Sequence, residues 1–202
     1  IALDIASKKY KVVLALNFDY GQKAFREENK SALKISKKYN IELKTIKLPY
    51  LKDLCNNALT DLNNNKLDIF SEVWIPNRNG LFLNIAACYC DKFNINNIIM
   101  GLNKQEAQDF SDNSIGFIKA ANEFLRYSTQ NHPEIVAPCC NMTKIDIINY
   151  LIDKNLSLDI IKSCYDNKQK TAKKHCGKCM SCKMLYSAIL KSKRPDLIKE
   201  IF

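Results

Sequence analysis

The sequence predicts an α/β protein with a doubly wound, mostly parallel sheet and a C-terminal four-cysteine zinc element. Three observations carry this. Short β-branched runs alternate with longer stretches of helical periodicity, the pattern of βαβ units. The first run, KVVLALNF (11–18), is almost continuously apolar, as in a parallel strand covered on both faces. Near the C-terminus, Cys176, Cys179 and Cys182 form a C-x-x-C-x-x-C run, and Cys164 stands across an eleven-residue arm from it.

The elements are expected in this order. After the strand at 11–18, a helix is expected over 22–39, with Phe25, Ala32, Ile35 and Tyr39 on one face. ELKTIKL (42–48) reads as a second strand closed by Pro49. Residues 50–75 are less regular, and the NNN at 63–65 reads as a solvent loop. A helix over 80–93 places Leu81, Phe82, Ile85, Ala86 and Tyr89 for burial, and NNIIMGL (96–102) reads as a strand. Helices are expected at 114–129 and 143–154, separated by the short strand EIVAP (134–138). Thr143 has the chemistry of an N-cap, with Asp146 at the third helical position. No repeat or Pro/Gly linker interrupts the chain, so 1–202 reads as one domain, with the zinc element at 164–183 and a helical tail at 184–202.

Composition narrows the setting. A hydrophobic content of 47% over 202 residues is enough for a real core. No apolar run approaches the roughly 18 residues of a membrane span, and no signal peptide opens the chain. Nine cysteines, an odd number, suit a reducing, cytoplasmic setting. The net charge of +10 is mostly lysine, which recognises phosphate pairs less well than arginine. Six of the lysines (Lys168, Lys170, Lys173, Lys174, Lys178, Lys183) lie in or beside the cysteine stretch. There they would offset the net negative charge of a tetrathiolate zinc, which argues against direct nucleic-acid binding.

Thiolates favour tetrahedral zinc, and a tight run plus one distant arm can wrap a single ion. Four protein ligands leave no open position, so Cys164, Cys176, Cys179 and Cys182 predict a structural metal. Bystander thiols and a three-cysteine iron–sulfur site are the alternatives.

In a doubly wound sheet the ligand lies outside the carboxyl ends of the strands. The segments after the strands are polar here. FDYGQK (18–23) presents Asp19, Tyr20 and Gln22 around Gly21; MGLNKQEAQDFSDNS (100–114) presents Gly101, Asn103, Glu106 and Asp112. IPNRNGLFL (75–83) sets Arg78 and Asn79 at a helix start, where free N–H groups and a guanidinium together favour an anion. Each segment alone has a plain structural reading, such as a helix cap or a surface ion pair. Their common place at strand ends points to one shared crevice.

FDYGQ, IPNRNGLFLNIAA, IIMGLN and SCYD…HCGKCMSC, in that order, resemble the 7-cyano-7-deazaguanine synthase (QueC-like) family of PP-loop ATP pyrophosphatases, within the adenine-nucleotide α-hydrolase group. The resemblance implies ATP-dependent conversion of 7-carboxy-7-deazaguanine and ammonia to the nitrile, on the route to queuosine or archaeosine. ATP with magnesium would be co-substrate, zinc would be structural, and the protein would be a homodimer. By position it implies that Asp19, Tyr20, Gly21 and Gln22 line the nucleotide and substrate crevice. Arg78 and Asn79 would lie near the phosphates or the deazaguanine, Gly101 and Asn103 at the floor, and Asp112 at the guanine-like edge. Lys144 would contact phosphate.

Two features depart from the family pattern. The phosphate loop S-G-G-x-D-S is absent, and IALDIASKKYK reads as the helix that should succeed it, so the first strand and its loop are expected to precede residue 1. Without that strand, Val12, Val13, Leu14 and Leu16 would be exposed. DFSDNS (109–114) also lacks the glycine- and proline-containing stretch of many members. The competing readings are a PP-loop transfer-RNA-modifying enzyme of thiolase or lysidine-synthetase type, for which Cys139 and Cys140 would be the reactive pair, and a catalytically inactive relative acting as a binding subunit.

Overall fold

The computed structural model describes residues 1–55, 57–157, 162–166 and 175–202. It is a mixed α/β structure in which helices separate parallel strands. Two compact units divide the chain: Val12–Pro76 with Ile148–Phe202, and Ile1–Lys11 with Asn77–Ile147.

The first of these units is built on β1 (Leu14–Asp19) and β2 (Glu42–Lys47), joined in parallel by the crossover helix α2 (Phe25–Tyr39), which packs on both strands. Register runs from Leu14 opposite Glu42 to Asp19 opposite Lys47. Helix α2 obeys dipole logic, with Glu27 and Glu28 in its first turn and Lys37 and Lys38 in its last, and it stops where Asn40 turns left-handed at φ 52°. It starts three residues later than its periodicity suggests, because residues 19–24 are held in a tight turn. The strand expected as covered is partly exposed at all six residues of β1, and Val13 is 46% exposed. Among the described residues β1 pairs with β2 alone, and the exposure of Val13 with the partial exposure of Val12, Leu14 and Leu16 matches the expectation for this sheet without the preceding strand. Helix α3 (Tyr50–Cys55) occupies part of the stretch read as irregular. Beyond α3 lies an ordered loop with a 3-10 turn at Phe70–Glu72, and its Ala58, Leu59, Leu67, Val73 and Ile75 are buried.

The other unit opens with the short helix α1 (Ala2–Ala6). It centres on α4 (Arg78–Phe93), the parallel pair β3 (Asn97–Ile99) and β4 (Glu134–Val136), the single-turn helix α5 (Glu106–Asp109), and α6 (Ile115–Ser128). Its core is Leu83, Ala87 and Cys90 from α4, Ile98 and Ile135 from the strands, and Leu125 from α6, with Ala86, Ile118 and Ala121 packed against it. The spacing 83, 87, 90 is one face of a helix; of the expected face (Leu81, Phe82, Ile85, Ala86 and Tyr89) Ala86 packs against this core, and the most buried α4 positions lie one residue, about 100°, further round. Both strands are shorter than their apolar runs: β4 ends just before Ala137 and Pro138, and Met100 N makes the last bond across the pair, to Val136 O at 2.9 Å. Ser114 caps α6, its Oγ accepting from Phe117 N at 3.1 Å.

Helix α7 (Lys144–Asp153) starts as expected. Thr143 N and Oγ1 donate to Asp146 Oδ2 at 2.8 and 2.7 Å, and Asp146 N returns a bond to Thr143 Oγ1 at 3.2 Å, a reciprocal capping box. Helices α8 (Met180–Leu190) and α9 (Ile198–Ile201) close the chain. Among the described residues, no helix is long and apolar enough to cross a membrane.

Candidate functional site

Three groups of residues, and a cluster of cysteines, are the candidates for a functional site. The turn after β1 is the first. Asp19 Oδ1 accepts from Gly21 N at 3.2 Å, and Gly21 sits at φ +82°, a region that L side chains rarely adopt. Gln22 Oε1 accepts from Tyr20 N at 2.9 Å, while its Nε2 donates to Phe18 O at 2.9 Å and to Glu28 Oε2 at 3.0 Å. The Gln22 amide is thus committed to its own turn and sets its shape, leaving the Asp19 carboxylate, only partly buried, as the group best placed to meet a ligand. A β-carbon at Gly21 would lie 3.0 Å from Lys52 Cδ as well as forcing the backbone. Gly21→Ala is therefore expected to cost about 1 kcal/mol or more, read by chemical denaturation.

The second group is at the start of α4. Arg78 is its first helical residue and Asn79 is buried. Arg78 Nε lies 3.4 Å from Asn79 Oδ1, and Asn79 Nδ2 lies 3.5 Å from the Asp112 carbonyl oxygen, so α4 and the 111–113 turn are linked. Asn113, also buried, donates Nδ2 to Asp112 Oδ1 at 3.0 Å. Burial pushes the Asp112 carboxyl above the usual carboxylate range, against the pull of Arg78 and the bond from Asn113. A group raised in the folded state contributes stability below its unfolded pKa and loses it as pH rises through the folded value. Asp112→Asn is therefore expected to melt higher than the wild type at neutral pH, with the difference shrinking as pH falls and vanishing only below the unfolded carboxyl's pKa of about 3.9. Greater stability combined with a loss of activity would mark Asp112 as a functional rather than a structural acid.

The third group joins the segment after β3 to the start of α7. Asn103, buried, accepts Glu106 N on its Oδ1 at 3.1 Å, and Lys104 N donates to Met142 O at 3.0 Å. Lys144 Nζ lies 2.9 Å from Glu106 Oε1, with the lysine side chain only 12% exposed. Glu106 is also close enough to Asp112 to oppose its ionisation. Gly101 is exposed, and a β-carbon there would make only an ordinary contact with Ala2 Cβ at 4.0 Å, so packing does not demand glycine. The structure therefore brings Arg78, Asn79, Asp112, Glu106, Asn103 and Lys144 into one neighbourhood of this unit. Asn113 escaped the sequence reading; its one signal was the Asp-Asn pair heading a capped helix. Cys139 is buried and burial pushes its thiol up, the opposite of what a reactive thiolate needs.

The cysteine element belongs to the other unit. The sulfur atoms of Cys164, Cys176, Cys179 and Cys182 all lie within 4.8 Å of one another. Backbone N–H groups point at them: Lys178 and Cys179 toward Cys176 Sγ at 3.4 and 3.3 Å, Asp166 and Cys176 toward Cys164 Sγ at 3.4 Å, and Cys182 toward Cys179 Sγ at 3.4 Å. Gly177 at φ +70° allows the tight C-x-x-C turn. Hydrogen bonds from Cys179 and Cys182 draw the Cys164 thiol far down, and the one to Cys164 pushes Cys179 up to about 12. Four thiols this close cannot all ionise without a cation, and N–H groups aimed at sulfur favour thiolates, so the donor set fits a divalent metal such as zinc. Lys183 pairs with Asp68 at 3.2 Å. Lys168, Lys170, Lys173 and Lys174, expected to offset the metal's charge, lie outside the described residues.

Fold and site together define a parallel α/β protein with polar strand ends and a four-cysteine cluster that could hold a metal such as zinc. A sequence profile of the family described as "Queuosine biosynthesis protein QueC" matches residues 1–192. The chain is 38% identical over 200 residues to the 7-cyano-7-deazaguanine synthase of Carboxydothermus hydrogenoformans, covering 93% of this chain and 91% of that protein. The enzyme of the same name from Pelotomaculum thermopropionicum is 36% identical over 185 residues (85% and 82%), and that of Methanosarcina mazei 33% over 198 residues (90% and 84%). The chain belongs to the QueC family.

Proposed function

We propose that this chain converts 7-carboxy-7-deazaguanine and ammonia to 7-cyano-7-deazaguanine at the expense of ATP, within a doubly wound PP-loop frame and in the cytoplasm. The observation that carries the reading is the family match over residues 1–192, which takes in every strand-end residue and all four clustered cysteines. The nucleotide, with magnesium, activates the carboxylate; ammonia attacks and gives the amide; a second activation removes the amide oxygen and leaves the nitrile. Such chemistry asks the protein for positioning and for stabilisation of phosphoryl charge.

In the unit built on β3 and β4, the Arg78 guanidinium and the first N–H groups of α4 supply positive charge to an anion. Ionised Asp112 accepts from the amino and imino groups of the guanine-like edge, and Asn113 fixes its carboxylate. Lys144 is a second cation, kept in place by Glu106, for which a phosphate oxygen competes. In the unit built on β1 and β2, Asp19 and Tyr20 are the ligand contacts of the strand-end turn. The zinc bound by the four cysteines supports the fold and takes no part in the reaction, because all of its positions are filled by protein.

The test is nucleotide consumption by the full-length protein. Cleavage of ATP that depends on 7-carboxy-7-deazaguanine, and is not replaced by transfer RNA, is the expected result. Cleavage that depends on transfer RNA instead would transfer the assignment to an RNA-modifying PP-loop enzyme.

A further inference from the structure

Lys23 is 5% exposed, an uncommon place for an ammonium group unless its charge is met. Its Nζ donates to Asn64 O at 2.6 Å, a short charge-assisted bond, and its backbone N donates to Leu59 O at 2.9 Å. Both acceptors belong to the ordered loop beyond α3. That loop is closed on itself: Ala58 N donates to Glu72 O at 2.9 Å, Asn64 Nδ2 to Glu72 Oε2 at 2.7 Å, and Asn57 Nδ2 to Trp74 O at 2.7 Å. Its far side meets the cysteine element. Met180, the residue after Cys179, donates its N–H to Leu67 O at 3.0 Å, and Lys183 pairs with Asp68 at 3.2 Å. Lys23 itself comes directly after Gln22, whose amide shapes the Asp19–Gln22 turn.

A hydrogen-bonded route therefore runs from the cysteine element, through the 57–72 loop, to the turn after β1, all inside one unit. The exposed Lys183–Asp68 pair contributes little to it. The less exposed links carry it: the Met180–Leu67 backbone bond at one end, and at the other the bonds from Lys23 Nζ to Asn64 O and from Lys23 N to Leu59 O. If the loop moves, the Lys23 ammonium loses a carbonyl acceptor in a poorly hydrated place, at a cost above that of an ordinary hydrogen bond.

We propose that Lys23 is a positioning residue through which the metal-bound cysteine element and the 57–72 loop fix the Asp19–Gln22 turn. The metal then supports the ligand side of the unit as well as its own knuckle. The functional weight of the proposal rests on the reading of that turn as a ligand contact; its test does not.

The test is hydrogen exchange on the full-length protein in three states: metal-loaded wild type, wild type after chelation under reducing conditions, and metal-loaded Lys23→Met. Chelation is expected to lower protection about tenfold or more in peptides covering 176–190, 57–72 and 19–25, and to spare those from α4 and α6. Lys23→Met is expected to lower protection at 57–72 and 19–25 with metal content and the 176–190 peptides unchanged, and Lys23→Arg to restore it in part. Changes confined to 176–190 on chelation, or unchanged protection at 57–72 in Lys23→Met, would overturn the proposal. If chelation unfolds the whole chain, the metal-loaded Lys23→Met comparison decides alone. Failure of the synthase reading would show separately, as a wild type with this exchange pattern that makes no nitrile.

Discussion

Replacing Cys179 with serine is expected to abolish stoichiometric metal binding and to cost on the order of 3 kcal/mol of stability or more. Cys179 is 2% exposed, and its Sγ faces three other sulfurs within 4.8 Å. It is also the N-cap of α8, its sulfur accepting the Cys182 N–H at 3.4 Å. Serine is among the best N-cap residues, so the substitution keeps a capping acceptor and removes the thiolate. The loss then reports the metal and not the cap. Metal analysis and thermal melting check it together, and normal values of both would refute a structural centre. Chelation of the wild type should reproduce the destabilisation, and adding zinc to Cys179→Ser should not reverse it.

The second large effect is expected at Arg78. Arg78→Ala should lower turnover by about 100- to 1,000-fold, the range found when one charge-stabilising donor is lost from an active site, with little change in melting temperature. The side chain is partly exposed at the start of α4, and its Nε lies 3.4 Å from Asn79 Oδ1, so it is not a core element. Arg78→Lys should recover only part of the activity, because an ammonium keeps the charge but not the planar fork. Steady-state kinetics with ATP and with the deazapurine varied separately will show which ligand Arg78 serves. Equal activity in Arg78→Ala and wild type would remove the α4 start from the site.

Much of this was legible in the sequence, for identifiable reasons. Periodicity located α2, α4, α6 and α7 because each alternates buried and exposed positions at helical spacing. The capping box at Thr143 and Asp146 was legible because it depends on two residues three apart. The clustering of the four cysteines was legible because thiols at such close spacing in the sequence suit a tetrahedral ion and little else. Which neighbours cover β1 was not legible: an apolar run reports what a strand can bury, and the partial exposure of every β1 residue matches what was expected of this strand without its preceding neighbour. The loop at 57–72 was not legible either. Lys23 reaches its Asn64 across 41 positions, and such long-range hydrogen bonds leave no local pattern. The same holds for Lys144. Its position at the start of α7 suggested a phosphate contact, while its pairing with Glu106 depends on the path of the chain after β3.

Mass spectrometry of the product formed by the full-length protein from 7-carboxy-7-deazaguanine, ATP and isotopically labelled ammonia reads the chemistry itself. The expected product is a species in which a nitrile replaces the carboxylic acid and carries the labelled nitrogen, formed only when ATP is present. Recovery of the unchanged acid, by protein that is folded and metal-loaded, would overturn the assignment.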